Sequence, residues 1–230
     1  MAGPPPPSWA VEPEYAGARQ VAPGVWRLRL PMAWEGINHV NAYVIERADD
    51  GVLLVDCGTA GHPSCAEALV EAFSETGHTL EDVRGLVITH VHSDHVGLAK
   101  LVQDRSGAPV WAHPYDAHFY DALRDPERIV AARERRAIQE GVPEWRMEAY
   151  RTAQEELEGA LAEVHAQYHL VDGTTVDSAL GPWEAVETPG HCPSHVCLVQ
   201  REHRIALVGD LICPAFVPWM DYGCSPDPVA

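Results

Sequence analysis

The segment Thr89-His90-Val91-His92-Ser93-Asp94-His95-Val96-Gly97 places three imidazoles and one carboxylate within six consecutive positions. It follows Gly85-Leu86-Val87-Ile88, a short, β-branched apolar run opened by glycine that reads as a buried strand. On extended backbone, residues two apart project to the same side, so His90 and His92 can offer two imidazoles to one metal ion as the strand ends. Asp94 and His95 come where the chain turns into a helix, within reach of a second ion nearby. Isolated histidines are usually ordinary polar residues. This density at a strand-to-helix turn points to a metal site.

Two later positions fit the same chemistry. Thr188-Pro189-Gly190-His191 follows a strand candidate and sets a histidine on a sharp turn, and Gly209-Asp210 puts a carboxylate at the tip of an apolar strand ending at Val208. Zinc favours imidazole and carboxylate ligands, and a catalytic site keeps one position open. His90, His92, His191 and Asp210 would complete one ligand set; Asp94, His95 and a shared Asp210 would make most of another.

The elements that must position these groups read as strands first, then strands alternating with helices, which predicts an α/β layered domain. Alternation marks strands over residues 25–30, stopped by Pro31, and over 40–45 and 52–55, the last two joined by the turn Ala48-Asp49-Asp50-Gly51. Asp56-Cys57-Gly58-Thr59 forms a tight turn, and a helix over about 63–74 shows Ala66, Leu69, Val70 and Phe73 on one face. Thr79 with Asp82 resembles a capping box, a helix after His95 ends near Gly107, and Val110-Trp111-Ala112 is another short strand. Residues from about 115 to 167 are charged and helical, with Pro126 and Pro143 suited to helix starts. This stretch is longer than a connection needs and serves as either a lid or a homodimer contact. Its arginines (Arg124, Arg128, Arg133, Arg135, Arg136) read as a solvated, ion-paired face. Strands return over 174–176, 183–187, 196–199 and 204–208.

Composition sets the outer bounds. A chain of 230 residues with 46% hydrophobic and 22% charged residues suits one globular domain with a large core, beginning near residue 21 after a Pro-rich, poorly ordered tail over 1–20. The formal charge of −18 disfavours nonspecific binding to nucleic acid or anionic lipid. No apolar run approaches the roughly 20 residues that span a bilayer, and the N-terminus lacks the basic and apolar segments of a secretory signal. The six cysteines show no Cys-x-x-Cys pairing, so free thiols in a reducing cytoplasm are expected.

Over residues 21–230 the arrangement of Asp56, His90-x-His92-x-Asp94-His95, His191 and Asp210 resembles the metallo-β-lactamase superfamily, and in particular its hydroxyacylglutathione hydrolase-like members. The resemblance implies a four-layer αββα sandwich with metals at one edge between two sheets. It implies that Asp56 buttresses the ligand loop and that His195 supports the site without binding metal. The family pattern also carries a further histidine beyond Asp210, the last ligand of its second metal. Here no histidine follows His203 and the sequence ends at Ala230, so the chain is expected to be C-terminally incomplete.

The function expected is hydrolysis of an ester, thioester or lactone-type bond in a small-molecule substrate by metal-activated water. One or two zinc ions would serve, with Asp94 orienting the nucleophile or taking its proton. One alternative is a mononuclear iron oxygenase of the persulfide dioxygenase kind, on His90, His191 and Asp210. Another is a truncated relic that binds metal without turnover. Trp34, Ile37 and His39 before the site, and Phe216, Trp219 and Tyr222 after it, are candidates to border the substrate.

Overall fold

The structure is a computed structural model that describes residues 17–34, 37–116, 120, 124–139, 141–148, 151 and 161–212. Four strands come first: β1 (Gly17–Ala22), β2 (Val25–Trp34), β3 (Ile37–Glu46) and β4 (Val52–Val55). Helix α1 (Cys65–Glu75) and a 3-10 turn (Leu80–Asp82) lead to β5 (Val83–Val87), the single turn α2 (Ser93–Val96), α3 (Ala99–Ser106) and β6 (Val110–Ala112). After α4 (Pro126–Gln139) come β7 (Tyr168–His169), β8 (Thr175–Ser178), β9 (Gly181–Glu187), β10 (Val196–Gln200) and β11 (Ile205–Leu207), with a final 3-10 turn over Gly209–Leu211.

β1 to β7 form one seven-stranded sheet in sequence order, antiparallel as far as β4 and parallel from β4 to β7. The second sheet is an antiparallel meander in the order β11-β10-β9-β8. The period-2 alternation of side chains divides the core in two. Val40, Ala42 and Val44 of β3, Val52 and Leu54 of β4, and Leu86 face the helix side, packing with Leu69 and Phe73 of α1 and Val102 of α3. Ile45, Leu53, Val55 and Val87 face the other way, against Trp183, Ala185, Val196 and Leu198 of the second sheet. β4 is buried at every position because it is covered on both faces, which is why its sequence is apolar without alternation. Trp183 is fully buried between the sheets and donates its Nε1–H to Ser178 Oγ at 3.0 Å. Among the described residues the layers are helix, sheet and sheet, a mixed α/β architecture.

Two expectations need correction. The segment read as a tail to residue 20 enters the sheet at Gly17, because β1 pairs with β2 from Gly17↔Arg29 to Ala22↔Val25 and Ala18 N–H donates to Glu75 Oε2 of α1 at 2.7 Å. Residues 1–16 lie outside the described part. Strand β2 does not stop at Pro31 but runs to Trp34. The register with β3 shifts between Pro31 and Trp34, the kind of irregularity at which a strand accommodates proline.

The Thr79 capping box forms, with Thr79 N–H donating to Asp82 Oδ2 at 2.8 Å. In the long connection, Pro126 opens α4 and residues 144–148 are also helical. Arg124 pairs with Glu163 and Arg128 with Asp125, as expected for two of the five arginines; Arg151, outside that set, pairs with Glu134 and Glu144, and the Arg133 and Arg136 side chains lie outside the described residues. Among the described residues no helix is long and apolar enough to cross a membrane. Cys57, Cys65, Cys192 and Cys197 are buried and outside any disulfide; Cys213 and Cys224 lie outside the described residues.

Candidate metal centre

The two sheets bring the C-terminal ends of β4, β5, β9 and β11 to one edge, and each contributes polar groups there. After β4 the chain turns at Asp56 (φ 58°), a left-handed conformation that aspartate tolerates better than most residues. The Asp56 carboxylate is 2% exposed and accepts three hydrogen bonds. Thr89 N–H donates to Oδ1 at 2.8 Å, Thr89 Oγ1–H to Oδ2 at 2.7 Å, and His95 Nδ1 lies 2.8 Å from Oδ2. Asp56 thus ties the end of β4 to both ends of the histidine-rich turn.

That network settles the tautomer of His90. Thr89 spends its single hydroxyl proton on Asp56, so its oxygen must accept the Nδ1–H of His90, 3.1 Å away. The lone pair of His90 is then on Nε2, a buried atom with no hydrogen-bond partner. A buried, unpartnered acceptor is costly in a metal-free protein and is what a metal ligand looks like without its ion. Burial, together with the neighbouring imidazoles, pushes the His90 pKa well below the usual histidine value, keeping that lone pair available.

The rings of His92 and His191 complete a trefoil with His90. The three centroids lie 4.6 Å (His90–His92), 5.0 Å (His90–His191) and 4.6 Å (His92–His191) apart, with the planes close to perpendicular. His92 Nδ1 and His191 Nε2 approach to 2.8 Å. Asp210, on the turn after β11, sends Oδ1 to within 3.3 Å of His95 Nε2 and Oδ2 to within 3.7 Å of His191 Nε2. Its two oxygens therefore face two different groups of histidines, a bridging disposition. Asp94 Oδ2 is 3.5 Å from His95 Nε2. Burial alone would lower the His95 pKa, but Asp94, Asp56 and Asp210 surround it with negative charge and raise it well above the usual histidine value. Burial raises the Asp210 pKa, yet His95, His191 and His92 outweigh it and hold the carboxyl far below its ordinary range.

One ring nitrogen each of His90 and His95 and one oxygen of Asp210 lie within 4.8 Å of one another, and so do one nitrogen each of His90 and His92 and the sulfur of Cys192. The residues present fit a metal ion. Of the expected site residues, His90, His92, Asp94, His95, His191 and Asp210 are brought together, with Asp56 behind them.

His195 has a different environment. The backbone N–H of Asp210 donates to its Nε2 at 3.1 Å, so its proton is on Nδ1, which donates to Thr188 Oγ1 at 2.7 Å. Both nitrogens are engaged, leaving none for a metal. Burial, and secondarily the nearby imidazoles His191 and His95, lower its pKa to about 3. This predicts a pH signature. With an unfolded value of 6.5, only the unfolded chain takes the proton between that value and about 3, so His195 costs stability as pH falls through this window. The stability gap between wild type and His195→Gln, from urea unfolding in excess chelator, is expected to grow in favour of wild type by about 3 kcal/mol from about pH 4 to about pH 7. A pH-independent gap would contradict it.

Three positioning residues were not assigned roles from sequence alone. Thr89 and Thr188 orient His90 and His195 through hydroxyls, and Gly97 allows a close backbone approach: a Cβ there would lie 2.3 Å from Ser93 O and 2.6 Å from Ala60 N. The threonine directly before His90 was the available signal; Thr188 lies seven residues before His195 and gave none. Of the substrate-side candidates, Ile37 packs against the helix-side core and His39 Nδ1 lies 2.8 Å from Asn38 Oδ1. The Trp34 side chain and Phe216, Trp219 and Tyr222 lie outside the described residues.

Comparison with known proteins places this geometry. The family model described as "Metallo-beta-lactamase superfamily" matches residues 36–229. The "Probable metallo-hydrolase YqjP" of Bacillus subtilis (strain 168) is 25% identical over 189 residues, covering 80% of this chain and 56% of that protein. A hydroxyacylglutathione hydrolase of Methylobacterium nodulans is 30% identical over 173 residues, covering 72% of this chain and 49% of that protein. The crystal structure of a metallo-beta-lactamase family protein from Thermus thermophilus superposes with a TM-score of 0.72 at 26% identity, covering 86% of this chain and 63% of that one. The chain thus spans about half to just under two thirds of the length of these relatives.

Proposed function

The chain belongs to the metallo-β-lactamase superfamily, and from that premise we propose that it is a metal-dependent hydrolase of a small thioester or ester. The observation that carries this reading is the unpartnered Nε2 of buried His90, set in a trefoil of imidazoles beside a carboxylate with one oxygen toward each half of the site. His90, His92 and His191 would hold the first ion, and Asp210, Asp94 and His95 would serve a second. Zinc held there would supply a Lewis acid that acidifies water and polarises a carbonyl.

The remaining work falls to side chains. Asp94, only 6% exposed and beside His95, orients the attacking water and accepts its proton. Asp56 and Thr89 fix the imidazoles in the tautomers and directions the site needs. The resemblance to relatives named as hydroxyacylglutathione hydrolases supports an acyl-glutathione thioester as the first substrate to try.

Purified protein is expected to hydrolyse members of a panel of acyl-glutathione thioesters, aryl esters and lactones, to lose at least about 100-fold of that rate in excess chelator, and to regain it with zinc. Full turnover in chelator, or none on any substrate when zinc-loaded, would sink the reading. An iron oxygenase is a second reading: the triad was expected on His90, His191 and Asp210, whereas the two-histidine, one-carboxylate group that favours it is His90, His95 and Asp210. Metal analysis separates them: oxygen uptake with one iron per chain selects the oxygenase, whereas zinc-dependent hydrolysis selects the first.

A further inference from the structure

The turn that carries His191 also carries a thiol. Cys192 is fully buried, and its sulfur lies within 4.8 Å of one ring nitrogen of His90 and one of His92. It also touches the Ser194 hydroxyl at 3.5 Å, a weak contact for sulfur. His90 is 1% exposed and its Nε2 has no hydrogen-bond partner, so one of the two histidines grouped with the thiol carries an unsatisfied buried nitrogen.

We propose that Cys192 is a thiolate ligand of the ion held by His90 and His92. The inference rests on the reading that these two histidines bind metal. Zinc–sulfur and zinc–nitrogen bonds of about 2.3 and 2.0 Å place two donors of one tetrahedral ion roughly 3.5 Å apart. Closing from a limit of 4.8 Å requires the two donors to approach by about 1.3 Å at most. The sulfur–metal bond forms as the thiol proton leaves to solvent. Because the residue follows His191 directly, the turn delivers an imidazole and a sulfur side by side; with His90 and His92 they would make four protein donors, so an attacking water would need a fifth position. A thiolate makes the set softer than imidazole and carboxylate alone, favouring zinc, cobalt and cadmium over magnesium or manganese. The competing view is a buried cysteine acting as a small apolar filler.

Cobalt distinguishes the two. The chelator-stripped full chain is loaded with cobalt(II), and three quantities are read: bound cobalt per chain, the visible ligand-field bands, and the near-ultraviolet thiolate-to-cobalt charge-transfer band. Wild type is expected to show all three. Cys192→Ser should lose the charge-transfer band while retaining cobalt through its histidines, and Cys197→Ser, altering another buried thiol, should keep the band. Cobalt bound with ligand-field bands but no charge-transfer band overturns the thiolate and leaves the metal reading intact. A band that survives in Cys192→Ser overturns it too. Failure of wild type to bind cobalt overturns both. X-ray absorption at the cobalt edge of wild type tests the same point without any variant: a sulfur shell near about 2.3 Å is expected, and its absence refutes the proposal.

Discussion

Replacing Asp56 with alanine is expected to destabilise the metal-free protein by about 5 kcal/mol, enough to bring a domain of ordinary stability close to unfolding. The side chain is small and binds nothing outside the fold, so the size of the effect comes from what it leaves behind. Thr89 N–H and Thr89 Oγ1–H lose their acceptor in a place water does not reach, and a buried unsatisfied donor costs roughly 1–3 kcal/mol. His95 Nδ1 loses a charged partner at 2.8 Å, and breaking a buried pair from one side costs roughly 3–5 kcal/mol. These terms overlap, which is why the expected total is below their sum. Alanine is also less tolerant than aspartate of φ 58°. Asp56→Asn keeps shape and backbone tolerance but presents an amide donor where two donors already point, so about 2–3 kcal/mol is expected. Urea midpoints of the three proteins in excess chelator give the ranking. Equal midpoints would show that Asp56 does not hold the loop.

The Asp56 network marks how far the sequence can be read directly. The apolar runs of β4 and β6 matched their observed bounds; β4 is central in the sheet, and burial on both faces imprints itself on its residues locally. The histidine turn was legible for a similar reason: its chemistry is concentrated in consecutive positions. β1 was not legible. Gly-Ala-Arg-Gln-Val-Ala has no alternation of its own, and its strand exists because β2 and the Glu75 carboxylate of α1 offer partners to its backbone. Pro31 misled in the opposite direction: β2 continues through it to Trp34, with the register to β3 shifting just beyond it. In the site, imidazole content could be read from composition, but the division between His90 and His195 could not. Both are buried histidines following a polar turn residue. Only the hydrogen bonds, which the folded backbone sets, show that one has a nitrogen to spare and the other has none. Cys192 escaped for the same reason: its nearness to His90 and His92 is created by folding.

That difference between two buried histidines leads to the second large effect. His90→Leu is expected to reduce kcat/KM by at least about 1,000-fold, because loss of a ligand removes several kcal/mol of transition-state stabilisation and each 1.36 kcal/mol is tenfold. His195→Gln removes a group that orients Asp210 through its backbone and is expected to cost about 10–100-fold in metal affinity or rate, the usual cost of an outer partner. The two variants should also part company when no metal is present. Wild type carries the unsatisfied Nε2 of His90 in its core, and leucine replaces the imidazole with apolar atoms that need no partner. Chelated His90→Leu should therefore unfold at a urea concentration equal to or above that of chelated wild type. His195→Gln, which breaks two satisfied hydrogen bonds, should unfold earlier at neutral pH. A protein that becomes inactive while its metal-free fold stays as firm, or becomes firmer, has lost a residue retained for its ion. If His90→Leu instead weakened the metal-free protein by several kcal/mol while metal content and turnover persisted, His90 would be a packing residue and the trefoil would have to find its ion elsewhere.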